Sequence, residues 1–338
     1  MNYCPLNKCD NLMGVPICGR MADNPEVQIL APEFTKIAEG ILGSEGPVFD
    51  RNGTFFMVEP EKEDENKQYA GCVHLVDLDT SHVTQICAPK VGSDGGIPAG
   101  LQCDKENNLW VADMRLGILR VNTKDGTFQQ IARKDKDGAL LQGCNDCAFD
   151  YDGNLWVTAP AGEIAPAPFT RSDKLTEEPF GSVYCMTASE EVIKVDTGYY
   201  FSNGIAVQHT DDGRPKKLIV AETFTRKLWS YDIKGPGQVE NKQLWGTLPG
   251  EQGGPDGMDF DEVGNLIVAN HGNGHLEVFG PLGGHPIYRI KCPFSMPSNV
   301  HFKPNSCLVF VTEHTYHGLW KFEWKYKGKA QYCELIQI

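Results

Sequence analysis

Four residues with oxygen-bearing side chains stand at matching points of a repeated motif: Glu45, Asn145, Asn203 and Asp256. The two carboxylates bring negative charge and the two amides bring neutral carbonyl oxygens. Calcium takes such all-oxygen ligand sets in flexible geometry, whereas magnesium requires a stricter octahedron. Buried together without a cation, these side chains would be costly. The residue types therefore predict a calcium site.

The motif itself occurs six times, as a short strand, an acidic or glycine-containing turn and a second strand. The matching positions in the six copies are Glu45, Ala99, Asn145, Asn203, Asp256 and Ser298. The steps between them are 54, 46, 58, 53 and 42 residues. A period of about 50 residues with β-type segments is typical of a propeller, with one four-stranded blade per repeat. We therefore predict an all-β, six-bladed β-propeller whose antiparallel blades surround a central channel.

In such a fold the first strand of each blade borders the channel, so the six positions form a ring around it. Three residues further along each strand lies a second ring, made of Val48, Gln102, Ala148, Ala206, Asp259 and His301. Asp259 and His301 come from adjacent blades and are expected to meet deeper in the channel. Their spacing leaves two interpretations open: a second metal site, or a His–Asp hydrogen bond without a metal.

The second strand of each blade returns to the face that carries the first ring. Its end residues, which we expect at the mouth of the channel, are Glu61, Met114, Pro160, Thr223, His271 and His314. Arg171, from a long Pro- and Ala-rich excursion over 161–179, and Phe201 are further candidates for this mouth. A mixture of apolar and polar side chains is typical of small-molecule sites. The alternative is that these are ordinary rim residues.

The overall composition of the chain argues against several classes of binding partner and cellular location. The 338-residue chain has a net charge of -14, which argues against nucleic acid and anionic membranes as partners. It contains no run of 18 apolar residues and no apolar N-terminal segment typical of a secretory signal. Most of the 12 cysteines fall in predicted strands, which favours free thiols and a cytoplasmic location. The CxxC spacing of Cys144 and Cys147 opens a strand, so we predict no redox or zinc site there.

The predicted domain organisation is simple. Residues 1–29 are expected to form a poorly ordered N-terminal extension, and residues 30–338 a single propeller domain. A strand over 34–38 precedes the first full repeat and is expected to complete a blade shared with the C-terminus, although the sequence does not say which blade. Propellers of this size are often monomers, so we expect a monomer.

Five segments resemble a known family. They are SEGPVF at 44–49, VADMRLG at 111–117, GCNDCAFD at 143–150, DGMDFD at 256–261 and PSNVHF at 297–302. They closely resemble the diisopropyl-fluorophosphatases, which belong to the gluconolactonase/regucalcin-like (SMP-30) group of six-bladed propellers. The resemblance covers about residues 30–336, and its motifs are long and specific.

This resemblance implies two calcium ions, one catalytic and one structural. The catalytic ion would be held by Glu45, Asn145, Asn203 and Asp256. The structural ion would be held by Asp259, His301 and the backbone carbonyl of Val300. Behind these ligands the expected supporting residues are Asp146, Gln102 and Ser298.

The implied activity is calcium-dependent hydrolysis of organophosphorus triesters or fluorides, small molecules in either case. Asp256 is the expected nucleophile, which would form a transient phospho-enzyme. A calcium-bound water with Asp256 or Glu45 as its base is the alternative, and the sequence does not separate the two. For His314 we expect packing and hydrogen bonding rather than proton transfer.

Two other functions stay open: a sugar-lactone hydrolase using the same metal, and a calcium-binding module without catalysis. The amide at Asn145 favours the phosphatase-like branch, because the lactonase relatives generally lack it. His271 stands where the family pattern has a tryptophan, which leaves substrate preference open. The four-ligand ring and the mixed pocket argue against a module without catalysis.

Overall fold

The protein folds as six small β-sheets around one axis, with the blades numbered in chain order. The computed structural model describes residues 27–141, 143–161 and 178–335. Within these ranges the regular structure is β-strand, apart from one 3-10 turn at Tyr332–Glu334. Inner strands of neighbouring blades contact one another all the way round, including blade six with blade one. The prediction of a six-bladed β-propeller is confirmed.

Blades one to three each contain four antiparallel strands, which follow one another from the channel outward. Blade one consists of Glu45–Phe49, Phe55–Glu59, Cys72–Val76 and Val83–Cys87. Blade two consists of Pro98–Cys103, Asn108–Asp113, Gly117–Asn122 and Phe128–Ala132. Blade three consists of Cys147–Phe149, Leu155–Ala159, Gly181–Met186 and Val192–Tyr199. A small hairpin, Lys90–Val91 with Asp94–Gly95, lies between blades one and two.

Blades four to six repeat this arrangement. Blade four consists of Ser202–His209, Pro215–Glu222, Lys227–Gly235 and Gln238–Thr247. Blade five consists of Gly254–Phe260, Leu266–His271, His275–Phe279 and Pro286–Lys291. Blade six consists of Pro297–Phe302, Leu308–Glu313 and Gly318–Glu323, and its outer strand comes from the N-terminal side of the chain.

That outer strand is Thr35–Ala38, which pairs antiparallel with Gly318–Glu323 and so completes blade six. A second N-terminal strand, Gln28–Leu30, pairs in parallel with Pro286–Lys291 and makes blade five five-stranded. Both pairings tie the start of the chain to its last two blades, which closes the ring. Of the extension predicted over 1–29, the structure describes residues 27–29, and residues 28 and 29 belong to this second strand rather than to a poorly ordered segment.

A recurrent turn joins the first and second strands at the end of each blade opposite the first ring. In blade three, Asp150 Oδ1 accepts the backbone N–H groups of Asp152 and Asn154, and Asp150 Oδ2 accepts the indole N–H of Trp156. Gly153 completes the turn at φ +88°, where only glycine is unstrained. Asp50 and Asp261 hold the corresponding turns of blades one and five in the same way. The acidic-glycine hairpins predicted from the sequence are therefore confirmed.

Apolar side chains fill the spaces between the blades, because adjacent blades pack face to face around the ring. Each of the six interfaces has its own cluster. Trp156 lies in the cluster between blades three and four, and Phe310 in the cluster between blades six and one; both are almost fully buried. Each such side chain contributes roughly 1.5–3 kcal/mol through burial. The channel is thus surrounded by a rigid wall.

Candidate active site

Irregular backbone positions the first ring. The pairing of inner and second strands shifts register between Glu45 and Val48 in blade one, and similar shifts span Asn203 and Asp256 in blades four and five. Such β-bulges interrupt the strict alternation of side chains and change the direction of a single side chain. The bulges at these positions let ring residues depart from the two faces of the blade.

Glycines that follow the ring positions allow the inner strands to approach closely. A Cβ atom at Gly204 would lie 2.1 Å from the carbonyl oxygen of Asp256, and one at Gly257 would lie 2.1 Å from Asn299 Nδ2. Neither position has room for a side chain. The glycine after the anchor in the sequence motif is thus required for narrow spacing around the channel.

Two carboxylates, the buried one of Asp256 and the half-buried one of Glu45, lie close enough at the first ring to repel each other. Burial raises the pKa of Asp256 well above its usual range, and the nearby charges of Glu45 and Asp146 raise it further. Burial raises the pKa of Glu45 likewise, with added repulsion from Asp146 and Glu61. Within the described residues, no lysine or arginine forms an ion pair with Glu45 or Asp256. No described lysine or arginine therefore compensates the negative charge that these two carboxylates carry when they are ionised.

The side-chain amide of Asn203 lies in the same ring and has only part of its hydrogen-bonding capacity used. Its Nδ2 donates to Thr223 Oγ1 over 3.1 Å, and Thr223 Oγ1 donates in turn to the carbonyl oxygen of Pro255 over 2.8 Å. Because Thr223 Oγ1 uses its own proton on Pro255, the Asn203 amide turns its nitrogen towards Thr223 and its oxygen away from it. The side-chain oxygen of Asn203 is buried with no hydrogen-bond partner within the described residues. A buried, unpartnered carbonyl oxygen is the group that a cation would satisfy.

Asn145 and Asp146 open blade three beside this ring. Asn145 is half-buried, and its backbone pairs with Thr158 through an N–H···O bond of 2.8 Å. Asp146 is buried, and its Oδ1 accepts the backbone N–H of Cys147 over 2.8 Å. Burial raises the pKa of Asp146 to about 7. Asp146 raises the pKa values of both Glu45 and Asp256, so its charge acts on the ring.

His314 and His271 lie at the mouth of the channel above Glu45. His314 Nε2 is 3.1 Å from Glu45 Oε1, although the alignment does not make a hydrogen bond. His314 Nδ1 is 3.2 Å from His271 Nε2. Burial lowers the pKa of His271 to about 4, so the imidazole of His271 is neutral at pH 7. The structure thus brings both predicted rim histidines to the first ring.

Asp259 and His301 meet deeper in the channel, as their spacing predicts. His301 Nδ1 lies 3.7 Å from Asp259 Oδ2, which is longer than a hydrogen bond. His301 Nε2 is buried and lacks a hydrogen-bond partner within the described residues. The adjacent Val300 is buried in the same inner strand of blade six. Of the two interpretations, the direct His–Asp hydrogen bond is therefore not formed in this structure.

The C-terminal tail covers the channel end next to Asp259, which the sequence analysis did not identify. Gln331 Nε2 donates to both carboxylate oxygens of Asp259 over 3.1 and 3.2 Å. Lys329 Nζ donates to the carbonyl oxygen of Val207 over 2.8 Å, and burial lowers its pKa to about 7. No repeat relates this tail to the blades, so nothing in the motif pointed to it.

Asn299 is a second residue that the sequence analysis overlooked. It is buried beside Gly257, and its Oδ1 has no hydrogen-bond partner within the described residues. It directly follows the ring position Ser298. A polar amide in an inner strand where small or apolar residues are expected was the available signal.

The remaining predicted residues divide between the channel and the surrounding structure. Gln102 lines the channel together with Asp146 and Asp259. Ser298 is fully buried, donates to the carbonyl oxygen of Ser44 over 2.9 Å and lies 2.8 Å from Thr312 Oγ1, so it joins blade six to the residue before Glu45.

At the mouth, Met114 packs on the ring residue Ala99, and Phe201 packs on Phe224. Glu61 is exposed, but its charge reaches Glu45. Arg171 and most of the excursion over 161–179 lie outside the described residues.

Comparisons with known proteins agree with this geometry. Residues 43–315 match the family described as the SMP-30/gluconolactonase/LRE-like region. The chain belongs to this family. It is 59% identical to diisopropyl-fluorophosphatase of Loligo vulgaris over 315 residues, which are 93% of this chain and 99% of that protein. The resemblance inferred from the five segments is therefore confirmed.

Other relatives match this chain at lower sequence identity. Lactonase drp35 of Staphylococcus haemolyticus is 26% identical over 78% of this chain and 74% of its own. The crystal structure of a calcium-binding regucalcin from Agrobacterium tumefaciens superposes with a TM-score of 0.70 at 19% identity, over 90% of this chain and 98% of that one. None of the described residues forms a helix long and apolar enough to span a membrane.

Proposed function

We propose that this protein is a calcium-dependent hydrolase that cleaves P–F or P–O bonds of organophosphorus fluorides and triesters. One observation carries the proposal: the interacting carboxylates of Glu45 and Asp256, each with a raised pKa, share a ring with the unpartnered amide oxygen of Asn203. The 59% identity to a diisopropyl-fluorophosphatase, over nearly the full length of both chains, favours the phosphorus reaction.

The donor set fits a hard divalent cation. We propose that Glu45, Asn145, Asn203 and Asp256 hold the catalytic calcium, since all four supply oxygen and two supply charge. A second calcium is proposed at Asp259, His301 and the carbonyl oxygen of Val300, supported by the unpartnered His301 Nε2. The known binding of calcium by a regucalcin of the same fold supports this choice of ion.

The catalytic ion, when bound, polarises the phosphoryl group as a Lewis acid. In the proposed reaction an Asp256 carboxylate oxygen attacks phosphorus, the P–F bond breaks and fluoride leaves. Water then attacks the carboxyl carbon of the phospho-enzyme and the bond from that carbon to the bridging oxygen breaks, which regenerates the carboxylate and releases the dialkyl phosphate anion and two protons. Glu45, whose ionised form the bound cation would favour, supplies a second negative charge from blade one, and Asp146 fixes the start of blade three. In the alternative route water attacks phosphorus directly and Asp256 or Glu45 accepts its proton.

The pocket above the ring is proposed to bind the substituents of the substrate. Met114 and Phe201 offer apolar surface, while Thr223, His271 and Glu61 offer polar contacts; Arg171 is proposed as a further contact from the excursion. Gln102 and Ser298 are proposed to support the ligands from behind. His314, between Glu45 and His271, is proposed to orient the ring rather than to carry protons.

We further propose that the protein acts as a cytoplasmic monomer. The nine cysteines in the described residues are free and eight of them are buried, which supports a reducing compartment. Light scattering after gel filtration tests the monomer, and a mass near 37.4 kDa is expected.

The first test is fluoride release from diisopropyl fluorophosphate with calcium and after chelation, beside opening of gluconolactone. We expect calcium-dependent fluoride release that is lost in Asp256→Asn and kept in Asp211→Asn, a matched change at an exposed turn of blade four. Lactone opening without fluoride release would contradict the phosphorus reaction and favour a lactonase with the same ring. Inactivity on both substrates would contradict hydrolysis.

A second test separates the two routes. In a single turnover in oxygen-18 water, the label enters the Asp256 carboxylate and the phosphate stays unlabelled if that carboxylate attacks phosphorus and water then attacks its carboxyl carbon. If Asp256 stays unlabelled while the phosphate carries oxygen-18, water attacks phosphorus and this covalent route is wrong.

A further inference from the structure

A group of metal-ligating side chains lies on blade one, apart from the channel ligands. It consists of Glu59, Cys72 and His74, whose ligand atoms lie within 4.8 Å of one another. Glu59 and Cys72 are directly opposite on adjacent strands, and His74 lies two residues beyond Cys72, so all three share one face of the sheet. Met57, two residues before Glu59, packs against blade six from this face. The group therefore sits at the interface of blades one and six.

The distances within the group are close to those of a tetrahedral metal site. His74 Nε2 is 2.8 Å from Glu59 Oε2 and 3.3 Å from Cys72 Sγ, and Cys72 Sγ is 3.5 Å from Glu59 Oε2. Zinc bonds of about 2.0–2.3 Å to oxygen, nitrogen and sulfur require ligand separations of about 3.3–3.6 Å in a tetrahedron. The three atoms need to spread by only about 0.5 Å to accept such an ion.

The site is buried but can be reached from outside. Cys72 is fully buried, and Glu59 and His74 are each less than a tenth exposed. The partly exposed ammonium of Lys62 lies 3.8 Å from both Cys72 Sγ and Glu59 Oε2 and donates to Gln85 Oε1. A positive charge thus already covers the group, and an incoming cation would displace this flexible side chain.

The protons on His74 and Cys72 can leave the atoms that would bind a cation. His74 Nε2 lies 2.8 Å from Glu59 Oε2, and Nδ1 is buried with no hydrogen-bond partner within the described residues, so a ring proton on Nε2 can move to Nδ1 when a cation binds Nε2. Burial raises the pKa of the Cys72 thiol to about 12, which keeps it protonated while no cation is bound. Binding then forms a metal–sulfur bond, breaks the S–H bond and releases that proton to solvent.

We propose that Glu59, Cys72 and His74 form a binding site for a thiophilic divalent cation, zinc in particular, at the interface of blades one and six. Thiolate and imidazole suit zinc, whereas calcium takes oxygen ligands, so this site and the proposed calcium sites select different ions. The fourth tetrahedral position remains for water. The bound ion would link two strands of blade one beside the closure of the ring.

Cadmium, a spectroscopic substitute for zinc, provides the test. Full-length protein in excess calcium, which keeps the oxygen sites filled, is titrated with cadmium chloride while the thiolate-to-cadmium absorption is followed in the ultraviolet. We expect a band that saturates at equimolar cadmium, is displaced by zinc and disappears in Cys72→Ser. Cys87→Ser is the matched control, because Cys87 is a buried thiol of the same blade on its opposite face.

Two further variants keep the test decisive if Cys72→Ser folds poorly. Glu59→Gln retains thiol and imidazole but should weaken zinc binding by roughly 10-fold or more, since a charged ligand is lost. Lys62→Gln removes the competing ammonium and should strengthen binding. Absence of the band in the wild type, or an unchanged band in Cys72→Ser, overturns the site, and equal zinc affinity of wild type and Glu59→Gln also contradicts it.

Discussion

Asp256 and Asp261 stand near the two ends of the same inner strand of blade five, and both are buried. Asp261 accepts the backbone N–H groups of Val263 and Asn265, the amide of Asn265 and the indole N–H of Trp324. Asp256 lies beside the Asn203 side chain and faces the like charges of Glu45 and Asp146. One carboxylate accepts several hydrogen bonds, whereas the other lies close to like charges.

The same contrast recurs in blade one, between Glu45 at the channel and Asp50 in the turn. Asp50 accepts from Asn52, Thr54 and the amide of Asn107, which belongs to blade two. Saturated buried carboxylates stabilise a fold, whereas unsatisfied ones are retained where a ligand satisfies them. The turn end of these blades thus stabilises the fold, and the ring end is where we propose that the chemistry takes place.

The largest effect is expected for Asp256→Asn. Loss of the carboxylate should lower turnover by roughly 10³-fold or more, because either route requires it as nucleophile or base. The calcium-free variant should be at least as stable as the wild type, since repulsion with Glu45 is removed. Initial rates and urea unfolding of both proteins measure this. If Asp256→Asn kept its turnover, or lost much of its stability, Asp256 would not differ in role from Asp261 at the other end of the strand.

The converse change is Asp261→Ala, which should lower the free energy of unfolding by about 2–4 kcal/mol because buried donors lose their acceptor. Turnover per folded molecule should stay within about 3-fold of the wild type, since no ring residue is touched. Val263→Ala, at an exposed position of the same turn, is the control and should be nearly neutral. Urea unfolding gives the change in stability, and an assay of the folded fraction gives the turnover per folded molecule. If Asp261→Ala were inactive but stable, Asp261 would have a role in activity rather than in folding.

Removal of calcium should destabilise the protein through the ring. Filling the sites at about 100 times the dissociation constant should raise the free energy of unfolding by about 2.7 kcal/mol per site. Chelation should therefore lower the melting temperature, and Asp256→Asn should reduce this loss because one charged ligand is absent. A melting temperature that is independent of calcium would mean that the buried carboxylates are not compensated by this ion.

The smallest effect is expected for His314→Asn. Because His314 contacts Glu45 and His271 without reaching Asp256 through a hydrogen bond, turnover should fall by less than about 10-fold, with KM and kcat both affected. Steady-state kinetics measure this, with His285→Asn, a change on the outer part of blade five, as control. Complete loss of turnover in His314→Asn would give His314 a role in proton transfer.

Much of the fold followed from local pattern. The repeat spacing predicted six blades, and the turns at Asp150 and Asp261 were predicted from their Asp and Gly residues, because such turns depend on neighbours a few residues away. Inner-strand position brought Asp259 and His301 together as expected. The bulges that aim Asn203 and Asp256 were not predicted, since a register shift leaves no alternation signal of its own.

Residue types and their period by themselves determined the ring of oxygen-bearing side chains and the closed β-architecture, because a structural repeat places equivalent residues at equivalent points around an axis. Tertiary structure alone decided that blade six is the blade that Thr35–Ala38 completes and that Gln331 binds Asp259. It also brought Glu59, Cys72 and His74 into one cluster. These contacts join segments outside the repeat or on faces it does not specify, so their partners are selected by packing and by the need to satisfy buried polar groups rather than by a periodic sequence signal.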